Sequence, residues 1–196
     1  MGDINQKLYL QNRVPAVNGT ILEVGSKDYG NTTTFRDVYA GQKYVGLDLF
    51  EGKGVDVIVN LEDGIGPLEE KSCALVICCS VLEHTPRPWV VAENLTRLVQ
   101  PGGKLYISVP WVWRYHPYPD DYFRFSFKAI PSLFPAFTWE SAVYSTNVPG
   151  EFIPLEGNKN ADDGMAFYKP LSTQTGAQKR KYLPYLNVNT IGTRTD

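Results

Sequence analysis

The stretch Cys73-Ala-Leu-Val-Ile-Cys-Cys79 decides the fold class, because an unbroken apolar run of this length predicts a strand that is covered on both faces. Such strands belong to parallel sheets, whose crossover helices cover both faces. The three cysteines of the chain all lie in this run. We interpret them as small buried core residues, since an odd number of clustered cysteines is not a disulfide framework.

Further elements are predicted on both sides of this run. The predicted strands are 20–24, 44–48, 55–59, 73–79 and 104–109. The Asn/Thr cluster at 31–34, with Gly41 as a stop, predicts a short helix over 31–40. A longer helix is predicted between Pro88 and Pro101, where apolar residues recur at helical spacing. This alternation predicts an α/β fold, a Rossmann-like, doubly wound and mostly parallel sheet.

The 196 residues suit a single domain. Residues 1–19 are predicted to be an N-terminal extension and residues 20–144 the core, with a second helix over 127–133 and a late strand over 137–144. Residues 145–196 are predicted to form a C-terminal loop, a short strand at 165–168 and a polar tail.

Charge and composition exclude several classes of protein. The chain has 19 basic and 21 acidic side chains, a net charge of -2, which disfavours a nucleic-acid partner. It has no apolar run of the roughly 20 residues that a membrane span needs, and no signal-peptide core. We therefore expect a cytoplasmic protein without a membrane partner. With two histidines and no cysteines at ligand spacing, the sequence predicts no metal site.

The carboxyl ends of the predicted strands carry the candidate site, because ligands of open α/β sheets bind there. The first strand is followed by Gly25, which lets a ligand approach the backbone closely, and the second ends in Asp48, which can accept from both ribose hydroxyls. These features are typical of two cofactor families. Lys27 stands at the middle glycine of the dinucleotide motif, which favours a cofactor without a pyrophosphate.

Five stretches stand in order along the chain: Ile21-Leu-Glu-Val-Gly25, Tyr44-Val-Gly-Leu-Asp48, Val55-Asp-Val-Ile-Val-Asn-Leu61, Ser80-Val-Leu-Glu-His84 and Leu98-Val-Gln-Pro-Gly-Gly103. Together they resemble those of the class I S-adenosylmethionine-dependent methyltransferases with a small methyltransferase domain. The resemblance runs from about Asn18 to Tyr144 and implies S-adenosyl-L-methionine as the cofactor.

The resemblance also implies roles for individual residues. The cofactor-binding residues it implies are Glu23, Gly25, Ser26, Asp48, Leu49, Asn60, Leu61 and Ser80. By this resemblance Asp48 binds the ribose hydroxyls and Leu49 packs on the adenine. Asn60 meets the adenine amino group, the Leu61 amide meets a ring nitrogen, and Ser80 offers backbone to the amino-acid end. The loop that begins at Glu23 and Gly25 lies under the methionine moiety. The family often has an acid where Asn60 stands.

The aromatic stretch 111–126 follows the fifth strand, where the acceptor binds in such enzymes. His116 in this stretch is the candidate catalytic base, because imidazole suits proton transfer near neutral pH. The alternative is that His116, Asp121 and Arg124 tie the loop together. The expected function is methyl transfer to an oxygen or nitrogen of a small-molecule, sugar or glycan-like acceptor. A non-catalytic S-adenosylmethionine-binding regulatory protein and a nicotinamide-dependent oxidoreductase are the alternatives.

Overall fold

The computed structural model describes residues 3–30, 32–117, 119–155 and 185–196. The described helices are α1 (Ile4–Arg13), α2 (Pro88–Leu98) and α3 (Ala129–Leu133), with a 3-10 turn at Leu82–His84. The strands are β1 (Thr20–Val24), β2 (Tyr44–Asp48), β3 (Val57–Ile58), β4 (Cys73–Cys79), β5 (Val99–Val112), β6 (Phe137–Trp139), β7 (Val143–Ser145), β8 (Phe152–Pro154) and β9 (Leu186–Arg194).

The strands form one sheet in the order β3-β2-β1-β4-β5-β9-β7-β8, and β6 also pairs with β9. Strands β1 to β5 pair in parallel. Strand β9 lies antiparallel between β5 and β7. The predicted Rossmann-like, mostly parallel sheet is therefore confirmed, with an antiparallel extension beyond β5.

The two faces of the sheet are covered by different segments. On one face, Leu95 of α2 and Ile130 of α3 lie in a core cluster with Val76 of β4. On the other face, Leu10 of α1 lies in a second cluster with Leu75 of the same strand. Successive residues of β4 thus point to opposite faces, as the pleat requires. This arrangement explains why β4 is apolar throughout and why its three cysteines are buried, as predicted.

Helix α1 lies in the segment that the sequence predicts to be an extension. It begins at a capping box, in which the Asp3 carboxylate accepts from the Gln6 amide and the Gln6 side chain accepts from the Asp3 amide. Its residues Tyr9 and Leu10 are buried against the sheet. Residues 3–13 are therefore an integral part of the fold.

Other predicted elements differ in extent or kind. The short helix predicted over 31–40 is wrong, because its described residues form bends and turns. Strand β3 is shorter than the predicted 55–59, and β5 is longer than the predicted 104–109. The predicted late strand 137–144 is divided into β6 and β7. The strand predicted at 165–168 lies outside the described residues.

The segment predicted as a polar tail contains β9, which is a buried strand. Its polar side chains are paired inside the protein: Asn189 donates to Ser145 Oγ over 2.9 Å and accepts from the Tyr106 hydroxyl over 2.8 Å. Arg194 donates from Nη1 to the carbonyls of Thr96 (2.7 Å) and Val99 (2.6 Å). Buried polar groups need such partners. None of the described helices is long and apolar enough to cross a membrane.

Candidate functional site

A cavity of about 730 Å³ opens at the carboxyl ends of the parallel strands. Seven of the nine predicted site residues line it: Gly25, Asp48, Leu49, Asn60, Leu61, Ser80 and His116. Its position is the one where open α/β sheets bind ligands, and its volume is typical of small-molecule sites.

Two sharp turns form the floor of this cavity. After β1 the chain turns at Gly25, with φ of +76°, and the amides of Gly25 and Ser26 both donate to the Leu47 carbonyl. After β4 the chain turns at Ser80, which has φ of +52° although it is not a glycine. Such a backbone conformation is strained, and strain of this kind is often retained at functional sites. The Ser80 amide donates to the Ser108 carbonyl over 2.9 Å, which holds the turn against β5.

Asp48 at the end of β2 organises the loops on either side of it. Its Oδ2 accepts from the Lys27 amide over 3.1 Å, and its Oδ1 accepts from the Phe50 amide over 3.3 Å. The neighbouring Leu49 and Phe50 line the same cavity and are 46% and 58% exposed. A half-buried carboxylate beside exposed apolar side chains suits a ligand that combines hydroxyls with a flat ring.

Asn60 is engaged within its own loop. Its Oδ1 accepts from the Glu62 amide over 3.0 Å, and its Nδ2 donates to Asp63 Oδ2 over 2.8 Å. The adjacent Leu61 is buried, and its carbonyl accepts from the Asn94 side chain of α2 over 2.8 Å. Asn60 and Leu61 thus shape the wall of the cavity, and the amide oxygen of Asn60 keeps a second lone pair for a ligand.

Glu23 and Ser26 do not line this cavity. They lie in an adjacent cavity of about 390 Å³, and Gly25 lines both. The Glu23 carboxylate accepts from the Tyr44 hydroxyl over 2.7 Å. Burial raises the pKa of Glu23 to about 7. The Ser26 hydroxyl lies against Gly46 of β2. Of the two cavities, Glu23 and Ser26 thus line only the smaller one.

The stretch 111–126, which the sequence predicts to bind the acceptor, contains a loop that is held in place by Asp121 and Arg124. Nη1 and Nη2 of Arg124 donate to the two Asp121 carboxylate oxygens over 2.5 and 2.7 Å, and Arg124 also donates to the carbonyls of Trp113 and Arg114. The guanidinium holds the pKa of Asp121 at about 2. The His116 amide donates to Asp121 Oδ2 over 2.8 Å. Asp121 therefore stays charged and ties the loop, with His116, Trp113 and Tyr122 facing the cavity.

Two residues outside the predicted set, Glu83 and Gln6, also lie at the ends of the strands. Glu83 lines the cavity and is 1% exposed, both of its carboxylate oxygens lack a hydrogen-bond partner among the described residues, and burial raises its pKa to about 7. Gln6 of α1 donates from Nε2 to Ser108 Oγ over 2.9 Å and to Ser80 Oγ over 3.3 Å. The Asp-x-x-Gln capping pattern at residues 3–6 could have revealed α1 from the sequence.

A family model described as "Methyltransferase domain" matches residues 22–107, which run from β1 into β5. Over these residues the chain is similar to methyltransferase domains. The matched stretch contains every residue of the predicted cofactor set, and the predicted resemblance to S-adenosylmethionine-dependent methyltransferases is confirmed.

Similar proteins in mycobacteria are also described as methyltransferases. A Mycobacterium bovis protein described as an uncharacterized methyltransferase is 30% identical over 110 residues, which is 50% of this chain and 42% of that protein. A Mycobacterium avium protein with the same description is 28% identical over 108 residues, 50% of this chain and 42% of its own. The chain thus spans less than half the length of these curated relatives.

Solved structures share the fold of this chain. The YcgJ protein of Bacillus subtilis has a TM-score of 0.64 at 10% identity, over 98% of each chain. A Burkholderia thailandensis 1,6-didemethyltoxoflavin N1-methyltransferase, solved with S-adenosylhomocysteine, has a TM-score of 0.60 at 15% identity, over 97% of this chain and 77% of its own. At such identities the likeness establishes the fold.

Proposed function

We propose that this methyltransferase domain binds S-adenosyl-L-methionine and transfers its methyl group to an oxygen or nitrogen of a small-molecule, sugar or glycan-like acceptor. The observation that carries the proposal is the continuous cavity that joins the end of β2, with Asp48 and the apolar Leu49 and Phe50, to the histidine and aromatic residues after β5. Donor and acceptor could lie side by side in it, and such positioning supplies much of the rate of a transfer between two substrates.

The part of the cavity at the end of β2, where the methyl donor would bind, supports the choice of cofactor. Asp48 accepts two backbone amides and keeps lone pairs for ribose hydroxyls. Lys27, at the position where a dinucleotide motif has glycine, places its ammonium over the rings of Tyr29 (5.4 Å) and Phe50 (5.8 Å). A pyrophosphate needs that space to approach the backbone, so the loop favours a cofactor without one.

The part of the cavity formed by residues after β5, where the methyl acceptor would bind, suits a small acceptor of aromatic or polar character. Trp113, Tyr122 and His116 line it, together with Pro117 and Pro119. Two structural neighbours are named for nitrogen acceptors of small size: the didemethyltoxoflavin enzyme and a Haemonchus contortus phosphoethanolamine N-methyltransferase. His116 as the base that takes the acceptor's proton stays a prediction, and its position in the lining of the cavity supports it.

Calorimetry with S-adenosylmethionine, S-adenosylhomocysteine and NAD tests the cofactor. We expect micromolar affinity, on the order of -7 to -8 kcal/mol, for the first two and much weaker binding of NAD. Release of S-adenosylhomocysteine with a panel of hydroxyl and amine acceptors then tests transfer. Tighter binding of NAD would refute the proposal, and cofactor binding without turnover on any acceptor would favour the regulatory alternative.

A further inference from the structure

Three potential metal ligands converge in the wall of the cavity from two separate segments. Glu83 and His84 belong to the 3-10 turn after β4, and His116 belongs to the loop after β5. One donor atom from each lies within 4.8 Å of the other two. Nε2 of His84 is 3.9 Å from Oε1 of Glu83, and the two imidazole rings meet edge to face with centroids 4.9 Å apart.

Both imidazole rings are held by their Nδ1 atoms. Nδ1 of His84 lies 2.6 Å from the Asp120 carbonyl oxygen. Nδ1 of His116 lies 3.1 Å from the Arg114 carbonyl oxygen and 3.1 Å from Asp121 Oδ2. Because these oxygens only accept, each Nδ1 donates, and the lone pair of each ring is on Nε2. Histidines that bind metals are usually oriented by such a bond from the other ring nitrogen.

Glu83 has the most buried side chain of the three. Its side chain is 1% exposed, and neither oxygen has a hydrogen-bond partner among the described residues. Arg124, whose charge acts on Glu83, is already paired through two nitrogens with Asp121. An unpaired buried carboxylate is costly, and carboxylates in such places are usually paired or coordinate a metal.

We propose that Glu83, His84 and His116 bind one divalent transition-metal ion, with an open coordination position facing the cavity. Two imidazoles and one carboxylate are a donor set that suits Zn²⁺ and related ions, and three protein ligands leave a fourth position for a small molecule. Tetrahedral Zn²⁺ places its donors roughly 3.4 Å apart. The present 3.9 Å between His84 Nε2 and Glu83 Oε1 is close to this spacing, and small side-chain rotations would bring the donors together.

This site changes two expectations from the sequence. The prediction of no metal site rested on the presence of only two histidines and on the lack of cysteines at ligand spacing, but the fold places both histidines beside the same buried glutamate. An imidazole nitrogen that holds a metal ion has no lone pair left for a proton. In the metal-bound protein His116 is thus a ligand, and this role replaces that of general base.

The test uses the full chain, freed of metal by a chelator and titrated with Zn²⁺ in the absence of cofactor and acceptor. We expect one equivalent to bind and, in NMR spectra of the imidazole nitrogens, both histidines of the chain to shift together. Co²⁺ in place of Zn²⁺ should give the visible absorption of a tetrahedral site. Zn²⁺ binding that leaves either histidine signal unchanged, or no binding at millimolar Zn²⁺, would overturn the proposal.

Substitutions supply the second arm of the experiment. Glu83→Gln, His84→Ala and His116→Ala should each weaken Zn²⁺ binding by at least about tenfold, because each removes one of three ligands. Glu93→Gln, which changes an exposed glutamate of α2, is the matched control and should bind as the wild type does. If Glu83→Gln stays folded and binds Zn²⁺ with unchanged affinity, the carboxylate is not a ligand and the proposed site is wrong. Because neither arm uses S-adenosylmethionine, the outcome of the metal-binding experiment is independent of the methyltransferase proposal.

Discussion

The buried carboxyl group of Glu23 should make the protein less stable as the pH rises, and Glu23→Gln should remove that loss. Glu23 lies in β1 and is 7% exposed. Burial raises its pKa from 4.5 to about 7, against the opposing effects of the Tyr44 hydrogen bond and the Arg36 charge; the Asp48 charge adds to the rise. Glutamine is close to the protonated acid in shape, and its oxygen can still accept from Tyr44.

The size of the effect follows from the two pKa values. One pKa unit corresponds to about 1.4 kcal/mol, so the difference between 4.5 and about 7 corresponds to about 3 kcal/mol. Below pH 4.5 both the folded and the unfolded states carry the proton, and Glu23 costs nothing. Between pH 4.5 and about 7 the unfolded state loses the proton first, so the free energy of unfolding falls. Above pH 7 the full loss remains.

Urea unfolding of the cofactor-free protein at about pH 4 and about pH 8 measures this difference. Glu23→Gln should match the wild type at the lower pH and exceed its free energy of unfolding by about 3 kcal/mol at the higher pH. Glu83, whose pKa burial also raises, contributes equally to both proteins and cancels. The exposed Glu69→Gln should show no difference at either pH. A Glu23→Gln variant no more stable than the wild type at about pH 8 would refute the reasoning.

Three further substitutions test the site and the fold. Asp48→Asn should weaken S-adenosylhomocysteine binding by about 1.5–3 kcal/mol, measured by calorimetry, with little change in Tm without ligand; unchanged affinity would make Asp48 a loop-organising residue only. Gly46→Ala should lower the free energy of unfolding by about 1–3 kcal/mol or more, because the new Cβ would lie 2.0 Å from the Gly54 carbonyl oxygen; a fully stable variant would contradict this packing. Arg194→Met should cost about 2 kcal/mol or more in urea unfolding, because it leaves the partly buried Thr96 carbonyl and the buried Val99 carbonyl without their charged donor; wild-type stability would mean that other groups or water replace it.

The parallel half of the sheet could be predicted because its signals are local. Strands β1, β2 and β4 have the predicted bounds, since each is a short apolar or β-branched run between turn residues. The helix predicted over 31–40 failed because an Asn/Thr cap signal does not determine the conformation of the residues after it. There Phe35 and Tyr39 are buried through separate turns, such as the one in which the Val38 amide donates to the Phe35 carbonyl.

The antiparallel half of the sheet could not be predicted, because the residues that stabilise its strands are far apart in the sequence. Polar residues alternate with apolar ones along the first half of β9, which is typical of a strand whose polar side chains face solvent. Asn189 is nevertheless fully buried, because Tyr106 and Ser145 on the neighbouring strands bond its amide. No window of sequence around Asn189 contains either partner.

The candidate site likewise has one part that the predicted strands position and one part that they do not. Gly25, Asp48 and Ser80 lie at the ends of predicted strands, so topology alone brings them to one edge of the sheet. The approach of His116 to Glu83 depends instead on the course of an irregular loop. That course is set by the Asp121–Arg124 pair, which a sequence pattern does not specify.

The position of β9 constrains the order of folding. Residues 99–112 present a long hydrogen-bonding edge that stays open until residues 186–194 have been synthesised and have entered between β5 and β7. An open apolar edge of this kind pairs readily with other chains, and pairing across so long a sequence separation is slow. The interval between translation of β5 and of β9 is thus the period in which the nascent chain is most exposed to aggregation and to capture by chaperones.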